Sequence, residues 1–286
     1  MRELSVYSGI IDLYFYCYKI IMVFGVIYME KIIYYKDELN DEFAGDNLKP
    51  KVIDENYIYL PKGIWKKFTR FFWYRIVATP LAFLYMKFGW HHKIIGKKNF
   101  KKYRKQAVFV YGNHTHNMAD AFIPSMVSTP QDAFVIVNPN NLSIPVIGHI
   151  VPSLGGIPLP INQKAMRNFN KCITRRVEQK RFIMIYPEAH IWPFYTKIRP
   201  YVSLSFSYPI HYKAPAFALT NTYVKRKFGK KPRIITYIDG PFYPDKGLSL
   251  KEARENLRDK VYNQHVLRSK NSNYEYIKYI KKEVEE

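Results

Sequence analysis

The stretch that decides the fold is residues 107–120, which read A-V-F-V-Y-G-N-H-T-H-N-M-A-D. Its apolar, partly β-branched start predicts a buried strand that stops at a turn near Gly112. Two imidazoles and a carboxylate follow at His114, His116 and Asp120. Ligands of α/β sheets bind at the carboxyl ends of strands, and a histidine oriented by a carboxylate can take a proton from a hydroxyl near neutral pH. The stretch therefore predicts an α/β protein with a chemical site at a strand end.

The rest of the chain alternates between strand-like and helical patterns. Further strands are predicted at 133–137, 182–186, 216–219 and 234–238, and helices at 118–127, 164–179 and 249–267. An S-x-x-E capping box, Ser249 with Glu252, begins the last helix. This alternation predicts a mostly parallel central sheet flanked by helices. Residues 274–286 are charged and are expected to form a terminal helix or a frayed tail.

The charge of the chain points to an anionic partner. Of its 286 residues, 45 are Lys or Arg and only 23 are Asp or Glu, which gives a formal net charge of +22. Nucleic acid, an anionic bilayer and phosphorylated substrates all fit such an excess. Two basic clusters lie at residues 93–105 and 225–233. The two cysteines, Cys17 and Cys172, provide no disulfide framework, and Cys172 is expected in the core.

Two apolar segments precede the predicted sheet. Residues 9–28 contain Asp12 and Lys19, which makes a poor transmembrane helix, and the status of residues 1–28 stays open. Residues 71–90 contain Pro80, and their uncharged stretch is too short to cross a bilayer. Aromatic residues lie at both ends of this segment beside basic residues, which predicts a kinked helix or helical hairpin in the membrane interface. A buried pair of core helices is the alternative.

Three further motifs lie along the predicted sheet. A glycine pair, Gly155-Gly156, precedes an I-P-L-P run. The strand at 182–186 ends in Y-P-E-A-H, which includes Glu188 and His190. An apolar segment opens at Pro215. Each alone is also compatible with an ordinary turn or strand start.

Taken together and in this order, the motifs resemble the glycerolipid acyltransferases, in particular the 1-acylglycerol-3-phosphate acyltransferases. The blocks of that family are N-H-x-x-x-x-D, G-x-x-F-x-x-R, F-P-E-G-T-R and an apolar block with proline. The resemblance covers residues 106–219. It implies transfer of a fatty acyl group from a thioester, acyl-CoA or acyl carrier protein, to the hydroxyl of a lysophospholipid such as 1-acylglycerol-3-phosphate. It also implies phospholipid synthesis at the cytoplasmic face of the membrane, with no cofactor besides the acyl thioester.

The resemblance assigns roles to the motif residues. His114 would be the general base and Asp120 its orienting carboxylate. Backbone N–H groups near Gly155 and Gly156 would receive the oxyanion, and Glu188 would orient the acceptor or its loop. Asn113 and His190 are further candidates for oxyanion or substrate binding. No metal site is expected.

The chain departs from the family pattern in two ways. Five residues instead of four separate His114 from Asp120, so His116 competes as the base and a wider turn would be needed before the helix. Both motif arginines are absent, with Ile161 and Ile191 in their places. Basic residues that could replace them are Lys164, Arg167, Lys197 and Arg199.

Two other functions stay open at this stage. A metal-dependent hydrolase could use His114-x-His116 with Asp120, Glu188 and His190. A nucleic-acid-binding module would explain only the charge, so nucleic acid is not expected as a partner. The predicted organisation is an apolar segment at 1–28, a membrane-associating region at 29–92 and an acyltransferase domain at 93–286. The expected location is the cytoplasmic face of the cell membrane, as a peripheral or monotopic protein that contacts anionic lipids.

Overall fold

A computed structural model of the protein describes residues 32–43 and 49–282. Its centre is a seven-stranded sheet in the order β2-β8-β7-β3-β6-β4-β5. These strands are β2 Lys93–Ile95, β3 Val108–Gly112, β4 Ala133–Val137, β5 Gly156–Pro158, β6 Phe182–Ile185, β7 Ala216–Val224 and β8 Arg233–Phe242. Neighbouring strands are parallel except β7 and β8, which form an antiparallel pair.

Helices cover both faces of this sheet. The α-helices are α1 Ile64–Phe71, α2 Thr79–Leu84, α3 Lys97–Lys101, α4 Asn117–Ser128, α5 Gln163–Glu178, α6 Ser207–His211 and α7 Leu250–Ser269. π-helical turns at Phe72–Ala78 and Tyr85–Gly89 join α1 and α2 into one helical run. Short 3₁₀ turns lie at Pro139–Leu142, Ile147–His149 and Leu204–Phe206.

The predicted fold class is confirmed. Every residue of β3 and β6 is buried, as expected for central strands covered on both faces. Two apolar clusters, one on each face, form the core, with Val108 and Val110 in one and Phe109 and Tyr111 in the other. The capping box at the start of α7 is present, and Cys172 is buried. Consecutive side chains of β3 thus alternate between the two halves of the core.

The expectation for the end of the chain was wrong. Instead of a helix or frayed tail, β9 (Lys278–Lys281) forms a separate two-stranded parallel sheet with β1 (Ile32–Tyr35). Tyr279 of β9 stacks on the buried Trp192, with 5.1 Å between the ring centroids. Aromatic residues fit a pleated surface, and the partner strand lies at the opposite end of the sequence. Local charge therefore could not reveal the pairing.

The helical run from α1 through Gly89 has one buried and one exposed face. Its buried side chains, Tyr74, Ala82 and Met86, pack toward the sheet domain, as does the following Trp90. The large exposed apolar side chains are Ile64, Trp65, Phe68, Phe71, Phe72, Ile76, Leu81, Phe83, Leu84, Tyr85 and Phe88. Within the described residues, no helix is long and apolar enough to cross a bilayer. The apolar segment at 9–28 lies outside the described residues.

Candidate active site

The site lies where β3 gives way to α4. The strand ends at Gly112, residues 113–116 are non-helical, and α4 begins at Asn117. A Cβ at Gly112 would lie 2.3 Å from Met184 Cε and 2.8 Å from Tyr186 Cε1. Only glycine therefore allows the Tyr186 ring to approach the end of β3 this closely.

His114 and Asp120 form a hydrogen-bonded pair. His114 Nδ1 lies 2.9 Å from Asp120 Oδ2, and the same oxygen accepts the backbone N–H groups of Thr115 and His116 at 2.9 Å each. The Asp120 side chain is buried, whereas that of His114 is 17% exposed. His114 therefore presents Nδ1 to an oxygen that also accepts two backbone N–H groups, which fixes the orientation of the imidazole. His114 Nε2 makes no hydrogen bond within the described chain and is free to act on a substrate.

Asn221, which no sequence motif predicted, holds the other oxygen of the carboxylate. Asn221 Nδ2 donates to Asp120 Oδ1 at 3.0 Å, and Asn221 Oδ1 accepts from the Thr236 hydroxyl at 2.6 Å. Both Asn221 and Thr236 are buried. No motif marks Asn221 because it lies mid-strand in β7, and only the pairing of β7 with β3 brings it to Asp120.

His116, the alternative base, is a structural residue. It is the N-cap of α4, and its Nδ1 accepts the backbone N–H of Ala119 at 3.2 Å. Its ring lies between Trp90 and Phe194, at centroid distances of 4.6 and 5.1 Å. Burial lowers the pKa of His116 to about 4, so the ring is neutral. The extra residue between His114 and Asp120 is thus accommodated in the turn that caps the helix.

Tyr186 fixes the plane of the His114 ring. The two rings stack with 4.4 Å between centroids and 17° between planes. The Tyr186 hydroxyl donates to the backbone carbonyl of Asp120 at 2.5 Å, and burial raises its pKa well above the ordinary value. An aromatic residue at this position of the Y-P-E motif therefore orients the imidazole.

Glu188 holds the backbone of His114. Its buried Oε2 accepts the His114 N–H at 3.1 Å, and its Oε1 accepts the Arg199 N–H at 3.2 Å. The Arg199 guanidinium bonds the Glu188 carbonyl and carboxylate as well as the carbonyl of His190. Burial raises the pKa of Glu188, and Arg199 opposes that shift. Glu188 therefore orients the loop that carries His114, and the buried Arg199 is not accessible to a substrate phosphate.

Two predicted residues are held by other parts of the chain. The Asn113 amide bonds both the N–H and the carbonyl of Asn221, at 2.8 and 3.0 Å, and so fastens the end of β3 to β7. His190 Nδ1 lies 3.4 Å from Glu42, and the side chain is 30% exposed. The geometry gives neither residue a free donor aimed at His114.

The glycine pair does not lie at the dyad. Gly155 N–H donates to Pro152 and Gly156 N–H to Val151, so both are used within a turn. Gly156 begins β5, three strands from β3 and about 14 Å away at the usual strand spacing. Gly155 has φ +97°, and a Cβ there would meet the Ala133 carbonyl at 2.4 Å. Backbone packing therefore requires glycine here, and the predicted oxyanion donors are already hydrogen-bonded within the turn.

A comparison with protein families matches the part of the chain that carries this site. Residues 91–214 match the Acyltransferase family model, a range that contains the dyad, Tyr186, Glu188 and Arg199. The chain carries an acyltransferase domain. This domain indicates an enzyme that transfers acyl groups in lipid synthesis. Among curated proteins, no sequence matches the chain significantly.

The geometry of the acyltransferase domain does not favour the hydrolase alternative. Across residues 32–43 and 49–282, no group of three or more His, Cys, Asp or Glu side chains could hold a metal ion. His114 and His116 do not converge, because the Nδ1 of one bonds Asp120 and that of the other caps α4.

Proposed function

We propose that this acyltransferase transfers a fatty acyl group from a thioester, acyl-CoA or acyl carrier protein, to the hydroxyl of 1-acylglycerol-3-phosphate. The dyad is the main support for this proposal. In it, a buried and fully hydrogen-bonded Asp120 holds Nδ1 of a partly exposed His114. That is the arrangement a general base needs. Hydroxyl acceptors require such a base, because an alcohol is a weak nucleophile at neutral pH.

In this mechanism, His114 Nε2 removes the proton of the acceptor hydroxyl as the oxygen attacks the thioester carbonyl. Asp120 stabilises the imidazolium, and the proton then passes to the leaving thiolate. General-base assistance contributes about 10²–10⁴-fold in rate. The Tyr186 stack and the Glu188 bond support this role, since they limit rotation and translation of the imidazole.

Direct transfer, without an acyl-enzyme, agrees with the contacts of His114. No Ser or Cys in the described part of the chain is hydrogen-bonded to its ring, and the described cysteine, Cys172, is buried. An activated nucleophile would lie within hydrogen-bond reach of its base. The acyl group therefore moves from donor to acceptor in one addition and elimination sequence.

Lys164 and Arg167 are the best candidates to bind the acceptor phosphate. Both are exposed and lie in the first two turns of α5, which follows the carboxyl end of β5. His114 follows the carboxyl end of β3, and parallel strands end at the same edge of a sheet. The positive end of the α5 dipole adds to their charge. We expect these two side chains to replace the missing motif arginines.

The exposed apolar side of the helical run would bring this site to the membrane. Its aromatic side chains, including Trp65, Phe68 and Phe88, lie near Lys62, Lys66 and Lys67. Aromatic and basic residues on one surface are typical of helices that lie in the interface of an anionic bilayer. We propose a peripheral or monotopic protein at the cytoplasmic face, where both acyl donors are made available.

The dyad is tested by acyl transfer to lysophosphatidate in liposomes, with both thioester donors offered. We expect His114→Ala to lower the rate by at least about 10²-fold, because the base is lost. His116→Asn is the matched control, since asparagine also caps helices, and it should retain the activity. A His114→Ala enzyme with full activity would disprove the mechanism, and an inactive intact protein would point to another acceptor.

The acceptor site is tested with Lys164→Gln combined with Arg167→Gln. We expect the KM for lysophosphatidate to rise at least about tenfold, because each phosphate contact of this type contributes about 1–3 kcal/mol. The kcat should change little, since neither side chain contacts the dyad. The exposed pair Lys246 and Lys251 serves as the charge-matched control. An unchanged KM would indicate that other residues bind the acceptor phosphate.

A further inference from the structure

A cavity lies beside β2, and the residues that line it do not include His114 or Asp120. Its volume is about 440 Å³, and it opens between the helical run, the end of α4 and the edge of the sheet. The residues that line it are Phe83, Lys87, His92, Lys93, Ile94, Met126 and Arg233. Three of the seven carry a positive charge, and none is a carboxylate. Neither the acyl-transfer mechanism nor the family motifs use this cavity.

The three cations of this basic cavity are not neutralised within the described chain. Arg233 donates its Nε to the carbonyl of His91 at 3.0 Å, and no ion pair involves Lys87, Lys93 or Arg233 across the described residues. Lys87 and Lys93 are exposed, so their ammonium groups can turn toward a ligand. A cavity with this charge and no carboxylate selects anions.

His92 restricts which anion fits. The side chain is 94% buried, and its Nε2 lies 2.8 Å from the Thr236 hydroxyl. Thr236 donates its own proton to Asn221 Oδ1, so His92 must donate from Nε2 and carry a lone pair on Nδ1. Burial, with Arg233 and Lys87 nearby, lowers the pKa of His92 to about 4. Nδ1 has no partner in the described structure, and it is therefore a buried acceptor on a ring that lines the basic cavity.

We propose that the basic cavity binds a phosphate group that bears a proton, either free phosphate or the phosphomonoester headgroup of an anionic lipid. Its oxygens would meet Lys87, Lys93 and Arg233, and its P–O–H would donate to His92 Nδ1. Sulfate and phosphodiesters carry no such proton at neutral pH and would leave Nδ1 without a partner. Phe83, half exposed on the helical run, adjoins the cavity and would contact a lipid chain.

A chain of four hydrogen bonds joins the basic cavity to the dyad. It runs from His92 to Thr236, from Thr236 to Asn221, from Asn221 to Asp120, and from Asp120 to His114. The first three donors all point toward Asp120, so each polarises the next. An anion at His92 would alter the field along this chain. That coupling rests on the proposed function, whereas the anion site does not.

The site is tested on the full-length protein with ¹³C,¹⁵N-labelled histidine, whose His92 signals are assigned with His92→Gln. We expect inorganic phosphate at pH 7 to shift the His92 ring signals with at least about tenfold higher affinity than sulfate. Vesicles of neutral lipid that contain phosphatidate are compared with vesicles in which phosphatidylglycerol supplies the same total negative charge. A response to phosphatidate alone identifies the lipid as the source, and a response to inorganic phosphate identifies the free ion. Equal affinity for sulfate, or no His92 shift with either source, would overturn the proposal.

Arg233→Gln with Lys93→Gln should weaken binding by about tenfold or more, because two charges leave the cavity. Lys246→Gln with Lys251→Gln, near the far end of β8, is the matched control and should bind as the parent does. Unchanged affinity in the cavity variant would also overturn the proposal. The phosphate and sulfate comparison is made on the parent protein, so it holds even if the Arg233 and Lys93 variant fails to fold. Thr236→Val breaks the hydrogen-bond chain, so any effect of phosphate on kcat should be lost in that variant.

Discussion

At the scale of single residues, the acyltransferase site is built by buried polar side chains that hold one partly exposed imidazole. Asp120 and Tyr186 fix its ring, and Glu188 fixes its backbone. Each of these groups is satisfied by a partner from another part of the chain. The position of His114, the proposed base, therefore depends on the side chains that hold its ring and backbone.

The Glu188–Arg199 pair gives the first prediction at this scale. Arg199→Met leaves the Glu188 carboxylate buried with fewer partners, and removing one member of a buried pair costs about 3–5 kcal/mol. We expect a loss of that order in the free energy of unfolding, measured by urea denaturation, together with lower kcat. Adding Glu188→Gln should recover part of the stability, because the buried charge is then absent. An Arg199→Met protein as stable as the parent would contradict this account of the pair.

At the scale of elements, α4 shows which features follow from the local sequence and which depend on tertiary contacts. Its apolar pattern and position were predictable, and so was the need for a wider turn before it. The capping function of His116 was not, because histidine is not a usual N-cap and its neutral state depends on Trp90 and Phe194. Of the two imidazoles close to Asp120 in sequence, His116 caps a helix, and His114 is the proposed base.

The helical run gives a testable prediction at the scale of elements. Trp65→Ser with Phe68→Ser removes two side chains that are 78% and 58% exposed. We expect binding to anionic liposomes to fall at least about tenfold, because each such side chain contributes about 1.5–3 kcal/mol when buried in lipid. The melting temperature should hold, since neither residue is in the core. The control is Val202→Ser with Leu204→Ser, which are 69% and 68% exposed on another surface. Equal loss in both variants would argue against a specific membrane face.

At the scale of the whole molecule, the fold keeps three histidines neutral in its interior. Burial lowers the pKa of His92, His116 and His265 to about 4, against about 6.5 in the unfolded chain. Below pH 6.5 the unfolded state binds protons that the folded state cannot. Their contribution to stability is therefore complete above pH 6.5 and is lost as the pH falls toward 4.

We expect the free energy of unfolding to decrease by about 1.5 kcal/mol per buried histidine between pH 6.5 and pH 5. Urea denaturation at a series of pH values measures it. His265→Gln is the informative variant, because glutamine can still donate to the Tyr111 carbonyl that His265 Nε2 contacts at 3.1 Å. In this variant, the decrease in the free energy of unfolding between pH 6.5 and pH 5 should be about a third smaller. Stability that is constant over this range would contradict neutral burial of these side chains.

The sequence by itself determined the fold class, most of the central strands, and the dyad candidates, because these depend on local apolar period and on residues close together in the chain. Tertiary structure alone decided which histidine is buried, that Asn221 completes the carboxylate, that Arg199 pairs with Glu188 and that β9 joins β1. The strand order also places Gly155 and Gly156 away from the dyad. The physical reason is common to all of these: burial and hydrogen-bond partners across strands depend on sheet order, which no local stretch of sequence encodes.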